Sequence, residues 1–305
     1  MLLVAAAMCT PGGQARALPA LSEPAATTNA DLTPAAIVGD DDRRLSAFPY
    51  VVNIGAGPNS LGTGVVIGRR HLITAAHLFV GHGNWYATRS ARHPEGRDYR
   101  AYHVYIEGCP SRVYGIVNVF VNTTDPETYR KMDYAVVQLD QPSCGVAAPI
   151  WTMTDREVDR LLYGHDSDQG PRDVTAVGYY GPASVADFDL SAVLDTGSFA
   201  NLPFDMSLAW QYAAEGRVVD EDQSRLFRDY PSIEQSVWVH KIDAAIGGSG
   251  GPLLIRDGDT NYVIAIHIGE RRDGVDVNFA IPISDSLLDL IERRVPDAVI
   301  RRDGG

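Results

Sequence analysis

The stretch GGSGGPLL, residues 247–254, contains one serine surrounded by four glycines. Glycine has no Cβ and adopts positive φ angles at little cost, so the backbone on both sides of Ser249 can approach another molecule closely. A serine hydroxyl becomes a nucleophile when a base takes its proton, and the attacked carbonyl needs N–H donors for its oxyanion. We therefore predict that Ser249 is a catalytic nucleophile and that the amides of Gly247 and Ser249 are the oxyanion donors.

Two upstream segments offer a base and a group that orients it. The segment LITAAH, residues 72–77, is typical of an apolar strand that ends in small residues, and it would deliver His77 to the rim of a barrel. The segment that begins with Asp133, DYAVVQL, indicates another strand with a carboxylate at its head. His71 and His82 are alternative bases, but neither lies among small residues. We interpret both as surface or turn histidines.

Taken together, TAAH at 74–77, DYAVV at 133–137 and GSGGP at 248–252 resemble the three triad motifs of chymotrypsin-fold serine proteases, in the same order. The resemblance covers about residues 37–293. It implies an all-β fold of two antiparallel Greek-key β-barrels of the chymotrypsin type with a C-terminal helix. It also implies hydrolysis of peptide bonds through an acyl-enzyme, without a metal or organic cofactor.

In that family's mechanism, the three side chains have separate roles. Ser249 would attack the peptide carbonyl, and His77 would act first as general base and then as general acid. Asp133 would fix the tautomer of His77 and stabilise its imidazolium form. The scarcity of cysteines and the segment IDAAIGGS, residues 242–249, are most similar to the bacterial glutamyl-endopeptidase branch.

The motif around the serine also fits the G-x-S-x-G nucleophile elbow of α/β-hydrolases. That elbow runs from a strand into a helix, and the acid and the histidine follow the serine in the chain. Here Pro252 opposes a helix, and LLI at 253–255 and YVIAI at 262–266 predict a β-hairpin. We therefore reject the elbow interpretation.

The segment AIHIGE, residues 265–270, lines the specificity pocket in the family that the chain resembles, which assigns His267, Gly269 and Glu270 to substrate binding. A histidine at the position of His267 contacts an acidic substrate side chain in glutamyl endopeptidases, which implies an acidic preference. Glu270 and Asp243, which lies six residues before the nucleophile, would instead favour Arg or Lys. An acidic preference, a basic preference and a core histidine without a substrate role all stay open.

Composition limits the range of partners. The chain has 305 residues, of which 45% are hydrophobic, and a formal net charge of −13. Its length allows one or two compact domains. The acidic balance provides no attraction for nucleic acid or an anionic membrane. We expect protein or peptide substrates as partners, no nucleic acid, no membrane span and a monomer.

The N-terminus predicts export. Residues 1–17 combine a short apolar run with a possible A-x-A cleavage site and are predicted to be a signal peptide, and residues 18–36 a propeptide or disordered segment. IVGD at 37–40 resembles the mature start of trypsin-like enzymes, although Gly248 stands where their zymogen ion pair needs an aspartate. The expected location is secreted or extracytoplasmic.

Two cysteines, Cys109 and Cys144, remain after removal of the predicted signal. In an exported protein they are expected to form a disulfide, and two buried free thiols are the alternative.

The domain prediction follows from the same motifs. The N-terminal barrel should cover residues 37–152, the C-terminal barrel with the terminal helix residues 153–295, and a tail residues 296–305. TDRE at 154–157 resembles a capping box and predicts a helix near the boundary. SDSLLDLIERR at 284–294 has a polar start and an apolar stripe, which predict the terminal helix.

Two other classes of function stay open. A fold does not by itself fix a function, so the chain could be a catalytically inactive binding protein. An esterase would use the same triad but react poorly with peptides.

Overall fold

The computed structural model of the chain describes residues 48–56, 59–79, 102–106, 109, 113–121, 133–144, 146–165, 167–180, 210–219, 237–242, 244, 247–271 and 277–302. Several sequence predictions lie outside these residues: the signal peptide at 1–17, the propeptide at 18–36, the mature start at 37–40, His82 and Asp243.

Six antiparallel strands form a closed barrel in the order β1-β2-β3-β6-β5-β4. The strands are β1 (Val51–Ala56), β2 (Asn59–Gly68), β3 (His71–Thr74), β4 (Tyr102–Tyr105), β5 (Val113–Phe120) and β6 (Ala135–Leu139). Pairing of β1 with β4 closes the barrel. Closure satisfies the backbone hydrogen bonds that a sheet edge would leave unpaired.

A second, mostly antiparallel sheet has the order β10-β13-β12-β11-β8-β9, with β7 and β14 attached through β12. Its strands are β7 (Ile150–Thr152), β8 (Val174–Tyr180), β9 (Trp210–Gly216), β10 (Trp238–His240), β11 (Pro252–Asp257), β12 (Thr260–Arg271), β13 (Val277–Pro282) and β14 (Ile300–Arg302). The predicted all-β fold with two barrel-like sheets is confirmed. Pro252 begins a strand rather than a helix, which agrees with rejecting the hydrolase elbow.

The central strands of the first barrel are buried on both faces. Side chains alternate along a strand. Val66, Leu72 and Val137 therefore fill the barrel interior, while the alternate residues Val65 and Ile73 pack in a core shared with the second sheet. This arrangement explains why the sequence of these strands is almost continuously apolar. The shared core fixes the two sheets against each other at β1, β2 and β8.

The structure places the division between the sheets before residue 150. The predicted boundary assigned β7 to the first barrel, but β7 pairs in parallel with β12 and β14 of the second sheet. The segment predicted as a tail contributes β14.

In β14, the guanidinium of Arg301 lies 3.7 Å from the centre of the Trp151 ring and donates to Asp257 Oδ2 at 2.5 Å. Stacking and the ion pair hold this end of the chain on the second sheet.

Two helical segments occur where the sequence predicts helices. The first begins at Asp155–Glu157 and continues as a π-helix, Val158–Tyr163. The second is the terminal helix Asp285–Arg294, whose start is capped by the Ser284 hydroxyl, and its apolar side packs in the shared core. Within the described parts of the chain, none of the helices has the length and apolar character needed to cross a bilayer.

A disulfide joins Cys109, which follows β4, to Cys144, which follows β6. The predicted pairing is therefore present in the structure. The bond closes a loop that contains β5 and β6. It therefore restricts the conformations of this segment in the unfolded chain.

Candidate active site

His77 and Asp133 form a close pair. Nδ1 of His77 lies 2.6 Å from Oδ2 of Asp133, and the backbone N–H of His77 donates to Oδ1 of the same carboxylate at 2.7 Å. A carboxylate can only accept, so Nδ1 carries the hydrogen and Nε2 of the neutral ring is left as an acceptor. The imidazole is held in the tautomer that a general base requires.

Antiparallel pairing of two strands produces this contact. Thr74, the last residue of β3, pairs with Ala135, the first residue of β6. Because the strands run in opposite directions, the chain after Thr74 and the chain before Ala135 leave the barrel at the same end. Two buried alanines follow Thr74, and the 3₁₀ turn Ala76–Leu78 presents His77 at the rim.

Opposing effects set the pKa of His77. Burial lowers the pKa, but the charge of Asp133 and its hydrogen bond outweigh burial, so the pKa of His77 is raised above its ordinary value. Asp133 therefore stabilises the imidazolium form of His77. A general base needs this stabilisation because it holds a proton during the reaction.

The serine loop, residues 247–251, lies against the first barrel. The N–H of Thr63 in β2 donates to the Ser249 carbonyl at 2.8 Å, and the Thr63 hydroxyl donates to the Gly247 carbonyl at 2.8 Å. The Gly248 carbonyl accepts from the Gly251 N–H at 2.8 Å. All three carbonyls are thus occupied. Among the described residues, the N–H groups of Gly247 and Ser249 donate to no backbone carbonyl.

The loop can approach the barrel because Gly250 has no side chain. A Cβ at Gly250 would overlap the Thr74 hydroxyl oxygen and the Thr63 carbonyl oxygen, and it would lie 2.9 Å from the Ala75 N. Gly250 also has a φ of 87°, which L residues with a side chain rarely adopt. The serine loop therefore packs on the residues that directly precede His77.

His267 lies beside the same loop on β12. Its carbonyl accepts from the Gly250 N–H at 2.7 Å, and its N–H donates to the Gly251 carbonyl at 2.8 Å. The imidazole is 5% exposed. Burial and the charge of His77 lower the pKa of His267 to about 4, so the ring is neutral at pH 7.

A second buried histidine, which the sequence did not single out, contacts His267. Nε2 of His240 lies 3.3 Å from Nδ1 of His267, and Nδ1 of His240 accepts from the Ile242 N–H at 3.4 Å. Because Nδ1 of His240 accepts, its Nε2 carries the hydrogen and donates to His267. Burial and the charge of His267 hold the pKa of His240 well below its ordinary value.

The other predicted substrate-binding residues are only partly described. Asp243 lies outside the described residues, and only the backbone of Glu270 is described. A Cβ at Gly269 would meet no atom of the described residues within 4 Å. His71, the alternative base, lies in β3 and is buried, and among the described residues its Nδ1 has no hydrogen-bond partner.

Sequence reasoning also missed Thr63. It is the only residue with a polar side chain in GTGVV, residues 62–66, and it is fully buried in β2. A hydroxyl buried in an otherwise apolar segment must find hydrogen-bond partners, which is the signal that could have identified it.

Comparison with known proteins identifies a family and solved structures of similar fold. The family profile described as "Trypsin-like peptidase domain" matches residues 62–266, which is more than half of the chain. The solved structure of a Glu endopeptidase in complex with MPD is similar with a TM-score of 0.53 at 16% identity, covering 85% of this chain and 98% of that one. At this identity the likeness concerns the fold. A search of curated proteins found no match.

Gly250→Ala tests the close approach of the serine loop. The new Cβ would overlap two oxygen atoms in a backbone conformation that alanine resists. We expect the free energy of unfolding, measured by urea denaturation, to fall by about 3 kcal/mol or more. Gly258→Ala is the matched control, because Gly258 has a φ of 59° but an added Cβ would meet no atom of the described residues within 4 Å. Its cost should be about 1–2 kcal/mol. Equal losses in the two variants would contradict the close packing.

The protonation of His77 tests its contact with Asp133. In Asp133→Asn the charge that raises the pKa of His77 is gone and burial, which lowers it, remains. We expect the imidazole to titrate at a lower pH in this variant than in the wild type, measured by NMR with the resonance assigned through His77→Gln. Asp140→Asn, which removes a carboxylate beside Gly115, is the control. An unchanged titration in Asp133→Asn would show that the contact does not form in solution.

Proposed function

The chain belongs to the trypsin-like peptidase family of serine-type hydrolases, and on this premise we propose that it is a secreted serine endopeptidase with the triad His77, Asp133 and Ser249. The observation that carries the proposal is the 2.6 Å contact between the His77 ring and the Asp133 carboxylate, at the barrel end where the serine loop packs. A histidine and aspartate pair with a purely structural role would not need the serine loop beside it.

The proposed reaction uses each of these groups. Ser249 Oγ attacks the carbonyl carbon of the substrate while Nε2 of His77 takes the hydroxyl proton. The carboxylate of Asp133 holds Nδ1–H and stabilises the imidazolium that forms. The oxyanion is bound by the N–H groups of Gly247 and Ser249, which have no carbonyl partner among the described residues. His77 then gives its proton to the leaving amine, and water releases the acyl group by the same steps in reverse.

Two observations favour export. The disulfide between Cys109 and Cys144 suits an oxidising compartment. The apolar run in residues 2–8 has the character of the hydrophobic region of a signal peptide.

We also propose that the enzyme prefers an acidic residue before the scissile bond, as the glutamyl-endopeptidase branch does. The backbone of His267 is hydrogen-bonded to the two residues that follow Ser249, and its ring is close enough to His77 for the His77 charge to lower its pKa. One solved structure with a similar fold is that of a Glu endopeptidase, which supports the same choice.

The buried histidine pair explains how a neutral ring could select a carboxylate. The Ile242 N–H donates to Nδ1 of His240, and Nε2–H of His240 donates to Nδ1 of His267. This order leaves Nε2–H of His267 as a donor. A substrate carboxylate can accept from it, whereas the ammonium of lysine and the guanidinium of arginine have only donors to offer. A bound carboxylate would also raise the pKa of His267 towards the charged form.

The nucleophile is tested by labelling with a fluorophosphonate probe. We expect the wild type and Ser143→Ala to be labelled and Ser249→Ala to remain unlabelled, because Ser249 is the proposed nucleophile and the Ser143 hydroxyl donates to the Arg69 carbonyl. Cleavage of peptides by Ser249→Ala should fall by at least about 10⁴-fold.

Other outcomes of this experiment separate the remaining functions. A wild-type protein that takes no label would indicate an inactive binding protein. A labelled protein that hydrolyses esters but no peptide in a library would indicate an esterase.

Cleavage preference tests the role of His267. For peptides that differ only before the scissile bond, we expect higher kcat/KM for Glu than for Gln or Lys, and a preference for Glu that grows as the pH falls towards the pKa of His267. His267→Leu should lower kcat/KM for the Glu peptide by roughly 10–100-fold, the value of a hydrogen bond to a charged group. The Ala peptide should be little affected.

His165→Leu, which removes a ring beside Tyr163 on the surface of the chain, is the matched control. Cleavage by the wild type after Arg or Lys alone would refute the acidic preference. Retention of the Glu preference in His267→Leu would remove His267 from the pocket.

A further inference from the structure

Thr63, fully buried in β2, makes four hydrogen bonds to described residues outside the ladder of its own strand. Its N–H donates to the Ser249 carbonyl at 2.8 Å, and its hydroxyl donates to the Gly247 carbonyl at 2.8 Å. The hydroxyl also accepts from the Tyr179 N–H of β8 at 2.8 Å. Its carbonyl accepts from the Thr74 hydroxyl at 2.5 Å. This one residue of the first barrel is therefore hydrogen-bonded to the serine loop, to the second sheet and to β3, the strand that leads to His77.

The direction of the Thr63 hydroxyl hydrogen follows from its partners. The Tyr179 N–H can only donate, so the hydroxyl oxygen must accept there. The Gly247 carbonyl can only accept, so the hydroxyl hydrogen must point to it. A valine of the same shape would leave both backbone groups buried without a partner, whereas serine would keep both bonds.

These bonds control the peptide groups next to the proposed oxyanion donor. In a trans peptide the C=O and the following N–H point in opposite directions, and the described residues contain no cis peptide bond. Thr63 fixes the 247–248 peptide through one carbonyl and the 249–250 peptide through the other. The 248–249 peptide, which carries the Ser249 N–H, lies between these two fixed planes, so it has little freedom to rotate.

We propose that Thr63 is a positioning residue that aims the Ser249 N–H at the oxyanion. The proposal rests on the proposed function, because it takes Ser249 as the nucleophile. Thr63 itself touches no reacting atom. Its effect should therefore appear when negative charge develops on the substrate oxygen and not when the substrate first binds.

Thr63→Val and Thr63→Ser test this role. We expect Thr63→Val to lower kcat by about 10–100-fold, somewhat less than the loss of an oxyanion donor, with KM within about threefold of the wild type. A peptide aldehyde, whose oxygen occupies the oxyanion position after its carbon bonds Ser249 Oγ, should bind more weakly by a similar factor. Thr63→Ser should keep kcat within about threefold, because it retains the hydroxyl.

Thr152→Val is the matched control for loss of a partly buried threonine hydroxyl. Its hydroxyl donates to the Arg301 carbonyl at 3.3 Å, which lies on β14, outside the site. We expect it to change stability without changing kcat. A Thr63→Val enzyme with wild-type kcat, or a Thr63→Ser enzyme as impaired as Thr63→Val, would overturn the proposal. If Thr63→Val does not fold, Thr63→Ala, which also removes the hydroxyl, takes its place in the comparison with Thr63→Ser and is judged by the same outcomes.

Hydrogen exchange separates this proposal from the proposed function. The N–H groups of Gly250 and Gly251 donate to the carbonyls of His267 and Gly248, and they should exchange faster once Thr63 releases the loop. This measurement does not depend on activity. A wild type without peptidase activity would refute the proposed function alone. Unchanged exchange of these two amides in Thr63→Val would refute the positioning role alone.

Discussion

The site depends on a close approach between two pieces of backbone, the serine loop and the strands β2 and β3 of the first barrel. The approach is possible because Gly250 has no Cβ where Thr63 and Thr74 place oxygen atoms. It is maintained by hydrogen bonds from the N–H and hydroxyl of Thr63 to two loop carbonyls. Because those carbonyls turn towards the barrel, the amides of the loop can turn the other way. A single steric requirement thus determines which way the peptide groups of the serine loop face.

The His77 and Asp133 pair obeys a different constraint, the pairing register of β3 and β6. Closure of the first barrel fixes that register, and the register brings the two chain segments to the same rim. The same strands bury both faces, so a shift by one residue would exchange the barrel interior with the core shared between the sheets. The stability of the fold and the geometry of the pair are therefore set by the same contacts.

Electrostatics distinguish the histidines of the site. His77 has a carboxylate partner, and its pKa is raised despite burial. His240 and His267 have only each other and backbone groups as hydrogen-bond partners among the described residues, and their pKa values are lowered. One ring is therefore suited to taking up a proton and the other two to remaining neutral donors and acceptors. The difference arises from the neighbours, since all three side chains are chemically identical.

From the sequence alone, periodicity and capping residues predicted the hairpin after the serine and the two helical segments, because these signals act locally. The fold class followed from the resemblance of three motifs to a known family, and the pairing of Cys109 with Cys144 was one of two alternatives that the cysteine count left open. The sequence also predicted His77, Asp133 and Ser249 as site residues from three motifs, a prediction that awaits the experiments above. Only the tertiary structure revealed Thr63 and His240, and it moved β7 and β14 to the second sheet. The reason is physical: a buried hydroxyl or imidazole is defined by partners that are distant in sequence, here Gly247 for Thr63 and His267 for His240, and no local pattern encodes them.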